Sequence, residues 1–329
     1  MYKSNLILIG TVLILCVLCV LCVLSFFPVD NFLNLVSNFP VDAVITFRGE
    51  KFDLNDNRGA YNYELKYCIR SITKNMPWIR KIYVLQGSGS KVPSFFSVNY
   101  LENDVLLFND DEVISDKYLP TSNSDSIETF LTNLPGLSEH FIYLNDDMFV
   151  LKPISKDYFF TNTGKPKRVI FPRLHLNSLF SKFKTPPSPG TEYWYPHIPI
   201  AYTKTEIDEY IDEYPEFVEH VRAIRVRHDR LKSAENCYKI GLTFPCMQLH
   251  TNVVFTSNYS VSNGEYGLDI AEYVQFPYEI WKLDHIISSK KFLCIGDHFK
   301  GSLEERNIQR NRLRKHLEQL FPEKGRAEF

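Results

Sequence analysis

An α/β fold built on a mostly parallel sheet is predicted by three features of this chain. Short runs of branched and aromatic residues alternate with helical patterns, the runs are apolar enough to be buried on both faces, and turn-forming residues close them. Val41–Phe47 reads as the first strand. Leu65, Ile69, Ile72 and Met76 then recur at helical spacing from Asn62 until Pro77 stops the helix. Lys81–Gln86 follows as a second strand that runs into Gly87-Ser88-Gly89 and completes a βαβ unit. Val105–Phe108 is a third strand, and Asp125–Leu134 a helix that Asp125 caps with Glu128 three residues on. Phe141–Leu144 is a further buried strand. Between Thr161 and Pro199 the chain is rich in proline and glycine, as in Pro186-Pro187-Ser188-Pro189-Gly190, which predicts a long loop or lid near 161–199 around a short strand at Val169–Phe171. Glu206–Val221 and Ala234–Ile240 read as helices, Phe292–Ile295 as a strand, and Ser302 with Glu305 as the capping box of a terminal helix.

Composition sets the class. Among 329 residues, 44% are hydrophobic and 23% charged, values that exclude global disorder and a multi-span membrane protein. The 37 Lys and Arg nearly balance 39 Asp and Glu, so no broad cationic surface is available and nucleic acid is excluded as the expected partner.

The first residues stand apart. Leu6–Phe27 carries no charge, and as a helix it would reach about 33 Å, enough to span a hydrocarbon core. Such a run is longer than the apolar part of a cleavable leader, and Lys3 precedes it while no Lys or Arg follows until Arg48. The expected order is a cytoplasmic tail at 1–5, a transmembrane signal anchor at 6–27, a stalk at 28–40 and a folded domain at 41–329. That is a single-pass type II protein with its domain in a lumen, in the Golgi or another secretory membrane if the source is eukaryotic. Cys16, Cys19 and Cys22 lie among Val and Leu and read as apolar filler, not a zinc site. Cys68, Cys237, Cys246 and Cys294 remain, and an oxidising lumen would permit Cys237 to pair with Cys246. Asn258-Tyr259-Ser260 is a glycosylation sequon.

Phe141-Ile142-Tyr143-Leu144-Asn145-Asp146-Asp147 is the sharpest chemical signal. Two adjacent acids and an amide directly after a buried strand offer hard oxygen ligands where parallel sheets bind substrates, which suits Mg²⁺ or Mn²⁺ holding a diphosphate. A strand-ending turn also favours Asn and Asp for backbone reasons, so both readings stand at this point.

The chain resembles the Stealth family of sugar-1-phosphate transferases, which includes the subunit precursor of lysosomal-enzyme N-acetylglucosamine-1-phosphotransferase and bacterial capsule sugar-phosphate polymerases. The second block carries most of the likeness: Glu64-Leu65-Lys66-Tyr67-Cys68-Ile69-Arg70-Ser71-Ile72, Pro77-Trp78-Ile79, Leu119-Pro120-Thr121-Ser122-Asn123-Ser124 with Ile127-Glu128, then Phe141–Asp147. Val41–Phe47 is similar to the first block, Pro196-His197-Ile198-Pro199 with Val226-Arg227-His228 to the third, and Phe292–Asp297 to the fourth. Four departures stand out: Phe47-Arg48-Gly49 replaces the usual Trp-Val and acid or amide, Gly296 an Asn, Ser122 a Phe, and Tyr61 the acid before Asn62.

The resemblance implies a nucleotide-sugar-binding sheet, Rossmann-like or GT-A-like, with flanking helices. It implies attack by an acceptor hydroxyl on the phosphorus next to the sugar, with release of a nucleoside monophosphate. Asp146, Asp147 and Asp297 are the implied metal or acid residues; His197 is the implied base, Arg227 the phosphate clamp, and Asp42, Thr46, Asn62, Arg70, Asn123 and Glu128 contact substrate. An imidazole can take a proton near neutral pH, and a guanidinium can grip phosphate oxygens as a fork. Structural alternatives exist for each: a backbone-bonded His197, an ion-paired Arg70, a capping Glu128, a turn-shaping Asn123 or Asp297, and a solvated Arg227. The expected partners are a UDP-linked N-acetylhexosamine donor, a glycan or glycoprotein acceptor, and the membrane through the N-terminal helix. Homo-oligomerisation is left open. Two other functions compete, a metal-dependent glycosyltransferase that releases UDP and a catalytically silent glycan-binding subunit.

Overall fold

The computed structural model describes residues 39–50, 61–170, 198–213, 215–225, 260–266, 271–277, 279–297 and 299–328. The predicted tail, anchor and nearly all of the stalk, the Pro186–Gly190 segment, the helix at Ala234–Ile240, Cys237 with Cys246, the sequon, His197 and Arg227 lie outside the described residues. Among the described residues no helix is long and apolar enough to cross a membrane.

The main sheet has the order β3-β2-β1-β4-β7. Its first four members, β1 (Val41–Phe47), β2 (Ile82–Gln86), β3 (Val105–Asn109) and β4 (His140–Asn145), are parallel, and β7 (Ile200–Thr203) closes the β4 edge antiparallel. Val41, Ala43, Val44 and Ile45 in the middle strand are all buried, the pattern of a strand covered on both faces. A second sheet, ordered β5-β10-β9, joins β5 (Met148–Val150), β10 (Phe292–Asp297) and β9 (Ala271–Phe276). A two-stranded ladder pairs β6 (Lys167–Ile170) with β8 (Ser260–Tyr266).

Helix α1 (Glu64–Asn75) follows β1 and buries Leu65, Cys68, Ile69 and Ile72. Burying four such side chains contributes on the order of 1.5–3 kcal/mol each. The helix is fastened to the second sheet at β5, where the Ser71 hydroxyl accepts from the Val150 amide (3.1 Å) and the Asn75 amide donates to the Val150 carbonyl (2.6 Å). Its entry is strained: Tyr63 has φ 67°, a left-handed conformation that costs about 1–2 kcal/mol for a residue with a Cβ. Glu64 reaches back to accept from the Asn62 amide at 2.7 Å.

Three predicted elements change shape. The helix expected over Asp125–Leu134 is the short α2 (Ser124–Glu128), followed by a 3₁₀ turn at Leu131–Asn133. The reason is competition for its carbonyls. Arg222 donates to the Thr129 carbonyl (2.9 Å), and the Thr129 hydroxyl donates to the Ser126 carbonyl (2.7 Å). Glu128 is not a cap; it is buried and turned toward β4. After α3 (Lys156–Phe159), the single helix expected over Glu206–Val221 is two, α4 (Lys204–Glu213) and α5 (Pro215–Ala223). Pro215 disfavours helical geometry in the residue before it and opens the second helix, where its missing N–H is harmless. The strand expected at Val169–Phe171 is β6. A helix α6 (Leu283–Ser289) precedes β10, and α7 (Leu303–Leu320) begins with the predicted capping box, Ser302 Oγ accepting from the Glu305 amide.

Two residues expected to touch substrate are structural anchors instead. Asp42 is fully buried near the amino end of β1, the end opposite the Asp146-Asp147 turn. Its oxygens accept from Arg80 (2.9 and 2.7 Å), the Lys81 amide (3.1 Å) and the Ser138 amide (2.7 Å). Arg70, also buried, forks onto Glu328 (2.7 and 2.8 Å) and donates to Glu318 (3.0 Å) and the Phe321 carbonyl (2.6 Å). Its donors thus bind the C-terminal segment to α1. Arg326 completes that attachment by donating to the carbonyls of Pro77, Ile79 and Arg80.

Asp42→Asn is expected to lower the unfolding free energy by about 2 kcal/mol, measured by denaturant titration. The acid limb of stability should report Glu328. Burial raises its pKa, but hydrogen bonds from Arg70 and the Gly325 amide, with the charges of Arg70 and Lys66, outweigh this and hold it below its ordinary value of 4.5. A carboxylate depressed in the folded state stabilises above its unfolded pKa and loses that contribution as pH falls through the folded one. Stability should therefore fall below about pH 4.5, and Glu328→Gln should flatten that fall in a pH series of melting temperatures.

Candidate active site

The carboxyl ends of β1 and β4 carry a buried polar network under an acidic turn. Thr46 is paired in register with Asn145, and Tyr143 lies two residues before Asn145, so all three side chains share one face of the sheet. The Thr46 hydroxyl donates to Asn145 Oδ1 (3.0 Å) and lies 3.1 Å from the Tyr143 hydroxyl. The Tyr143 hydroxyl is shared between Asn145 Oδ1 (2.9 Å) and Glu128 Oε1 (3.0 Å). Glu128 is thereby tied to the strand that leads into the acids, through Tyr143. Burial, then the Glu128 charge, pushes the Tyr143 phenol up, so it remains a proton donor at neutral pH.

Asp146 and Asp147 form the two-residue turn between β4, in the first sheet, and β5, in the second. Both flanks of the turn are held. The Asn145 amide donates to Met148 Sδ (3.5 Å), and the Ile295 amide of β10 donates to the Asp147 carbonyl (3.1 Å). Two buried, unoxidised thiols lie beside it. The Cys68 thiol of α1 is 3.8 Å from the Asn145 carbonyl, and the Cys294 thiol of β10 hydrogen-bonds Asp147. Burial raises both thiol pKa values, and the charges of Asp146 and Asp147 raise them further. Both therefore stay protonated at neutral pH, and neither is activated as a nucleophile.

β10 runs antiparallel to β5, with Cys294 opposite Met148, so the backbone brings the carboxyl end of β10, Asp297, to the side of the acid turn. The side chain of Asp297 is outside the described residues. The adjacent Gly296 packs against Tyr273: a Cβ there would collide with the Tyr273 hydroxyl, so a larger residue at this position requires that ring to move. Among the described residues no group of three or more His, Cys, Asp or Glu side chains is placed to hold a metal ion. The donor chemistry nonetheless fits magnesium. That ion binds through one or two carboxylates and takes its remaining oxygens from water and substrate phosphates, and the turn supplies two carboxylates.

The other predicted residues fall as follows. Asn62 is buried at the entry to α1, next to Tyr61, whose phenol feels the charge of Asp146. Asn123 is buried, its side chain donating to the Ile224 carbonyl (3.0 Å), while the Ser122 amide donates to the Arg225 carbonyl (2.8 Å). These bonds stitch the segment before α2 to the chain two residues ahead of Arg227. Thr46, Glu128, Asp146 and Asp147 are brought together; Asp42 and Arg70 are held elsewhere. Two-residue periodicity along β4 could have revealed Tyr143, since it shares a face with Asn145.

Residues 58–168 match the family model for Stealth protein conserved region 2, a span that contains α1, β2, β3, the polar network's Glu128 and Tyr143, and the acid turn. A capsular polysaccharide phosphotransferase of Neisseria meningitidis serogroup B is 34% identical over 153 residues, 40% of this chain and 40% of that protein. A capsular polysaccharide phosphotransferase of Haemophilus influenzae is 36% identical over 169 residues, 45% of each chain. The chain thus aligns with less than half the length of these curated relatives. Among solved structures, the glycosyltransferase GlyE of Streptococcus pneumoniae overlaps 86% of this chain and 60% of its own, at 14% identity and a TM-score of 0.43. The matched region supplies both the helix beneath the acid turn and the turn itself, so the likeness to Stealth proteins covers the part of the chain that carries the candidate site.

Proposed function

We propose that the chain transfers sugar-1-phosphate from a nucleotide-sugar, a UDP-linked N-acetylhexosamine, to a hydroxyl of a glycan. One observation carries the reading: Asp146 and Asp147 stand at the carboxyl end of a central parallel strand, fixed between two sheets, in the region shared with relatives named phosphotransferases. Parallel sheets bind their ligands at that end.

In this reading the acceptor oxygen attacks the phosphorus attached to the sugar. A new O–P bond forms, the bond from that phosphorus to the bridging oxygen breaks, UMP leaves, and the acceptor's proton passes to His197. Bound Mg²⁺ or Mn²⁺ supplies charge neutralisation for the diphosphate and the departing UMP. Asp146 and Asp147 would hold that ion, with Asp297 as the third acid, and Arg227 would grip the phosphate oxygens. The chain's described contribution is orientation. Thr46, Tyr143 and Glu128 fix Asn145 at the base of the turn, and the protonated Cys294 thiol restrains Asp147 without adding charge. The apolar run at 6–27 would tether this chemistry to a membrane.

Incubation of the full-length protein with radiolabelled UDP-N-acetylglucosamine, Mg²⁺ and a panel of glycans is expected to release UMP. Release of UDP instead would assign the chain to glycosyl transfer. Asp147→Asn keeps an oxygen to accept from Cys294 but removes one negative charge. Turnover should drop by about 10² or more with little change in melting temperature, and the Mg²⁺ concentration at half-maximal rate should rise. Unchanged metal dependence would remove Asp147 from the metal set.

A further inference from the structure

Tyr61 stands at the edge of the same site with an unused donor. It is only 6% exposed, and its hydroxyl has no hydrogen-bond partner among the described residues. Buried polar groups are nearly always paired, and one left unpaired weakens folding, so such a group beside a candidate site points to a partner from outside the chain. The ring itself is firmly placed. It packs on Phe47, which directly follows Thr46 in β1, with centroids 5.2 Å apart, and on Tyr63 at 5.2 Å. The Tyr61 carbonyl accepts from Arg314 of α7 at 3.3 Å.

The surroundings say what kind of partner suits it. Burial raises the phenol's pKa, and the charges of Glu64, Glu50 and Asp146 raise it further, so the group is a neutral donor facing a negative neighbourhood. Such a place repels an unscreened phosphate and favours a neutral, oxygen-rich ring lying against aromatic faces.

We propose that Tyr61 is a specificity-determining residue whose hydroxyl donates a hydrogen bond to a substituent oxygen of the transferred sugar. The assignment rests on the nucleotide-sugar reading above and refines it: Asp146 and Asp147 serve the diphosphate, and Tyr61 reads the sugar beside it.

The test compares wild-type full-length protein with Tyr61→Phe by calorimetry in Mg²⁺, using UDP-N-acetylglucosamine and UDP as separate probes. The variant should bind the sugar nucleotide about 3- to 10-fold more weakly and bind UDP as the wild type does. Its ligand-free melting temperature should be equal or higher, because the lost hydroxyl had no partner. Equal sugar-nucleotide affinity in the two proteins overturns the assignment. So does an equal loss of affinity for both probes, or a lower melting temperature with an unchanged ratio of the two affinities. Wild-type protein that binds neither probe overturns the nucleotide-sugar reading itself, and the role of Tyr61 with it.

Discussion

The amide of Ile295 donates to the carbonyl of Asp147, and the geometry of the site depends on that bond. Through it β5 is captured by β10, so a nearly continuous strand from His140 to Val150 serves two sheets and bends between them at Asp146 and Asp147. A turn at a free strand end could swing its carboxylates into water. Here the main sheet holds one side, the second sheet the other, and α1 supports both from beneath through Ser71, Asn75 and Cys68.

The charged residues divide by their position along the strands. At the amino end of the main sheet Asp42 is saturated by a guanidinium and two amides, a purely structural arrangement. On the outer side of α1, Arg70 is matched by Glu318 and Glu328. At the carboxyl end the described neighbours of Asp146 and Asp147 include two protonated thiols, Cys68 and Cys294, which restrain the turn without adding charge.

Much of this was legible in the sequence, because the main sheet is built from local, strongly apolar runs. The strand at Val41–Phe47 and the helix stopped by Pro77 need no distant partner to declare themselves, and the acid turn follows directly from the end of β4. The second sheet was harder to read. β5 is three residues long, and only pairing with a strand some 140 residues later makes it a strand. Family resemblance carries residue identities but not sheet ends, so it implies a substrate role for Asp42, which the fold holds buried near the amino end of its strand. Glu128 and Arg70 show the same limit: periodicity placed each on a helix, but the partners that decide their roles, Tyr143 and Glu328, come from distant segments.

The division between sheets has a consequence for biosynthesis. All four parallel strands of the first sheet are complete once residue 145 has been made, and they can pair while the ribosome is still working. β10 ends at Asp297, so the acid turn gains its second flank only after about 150 further residues have been made. A nascent chain would therefore hold a formed scaffold with an unbraced turn until β10 emerges, and the two acids would take their fixed geometry only then.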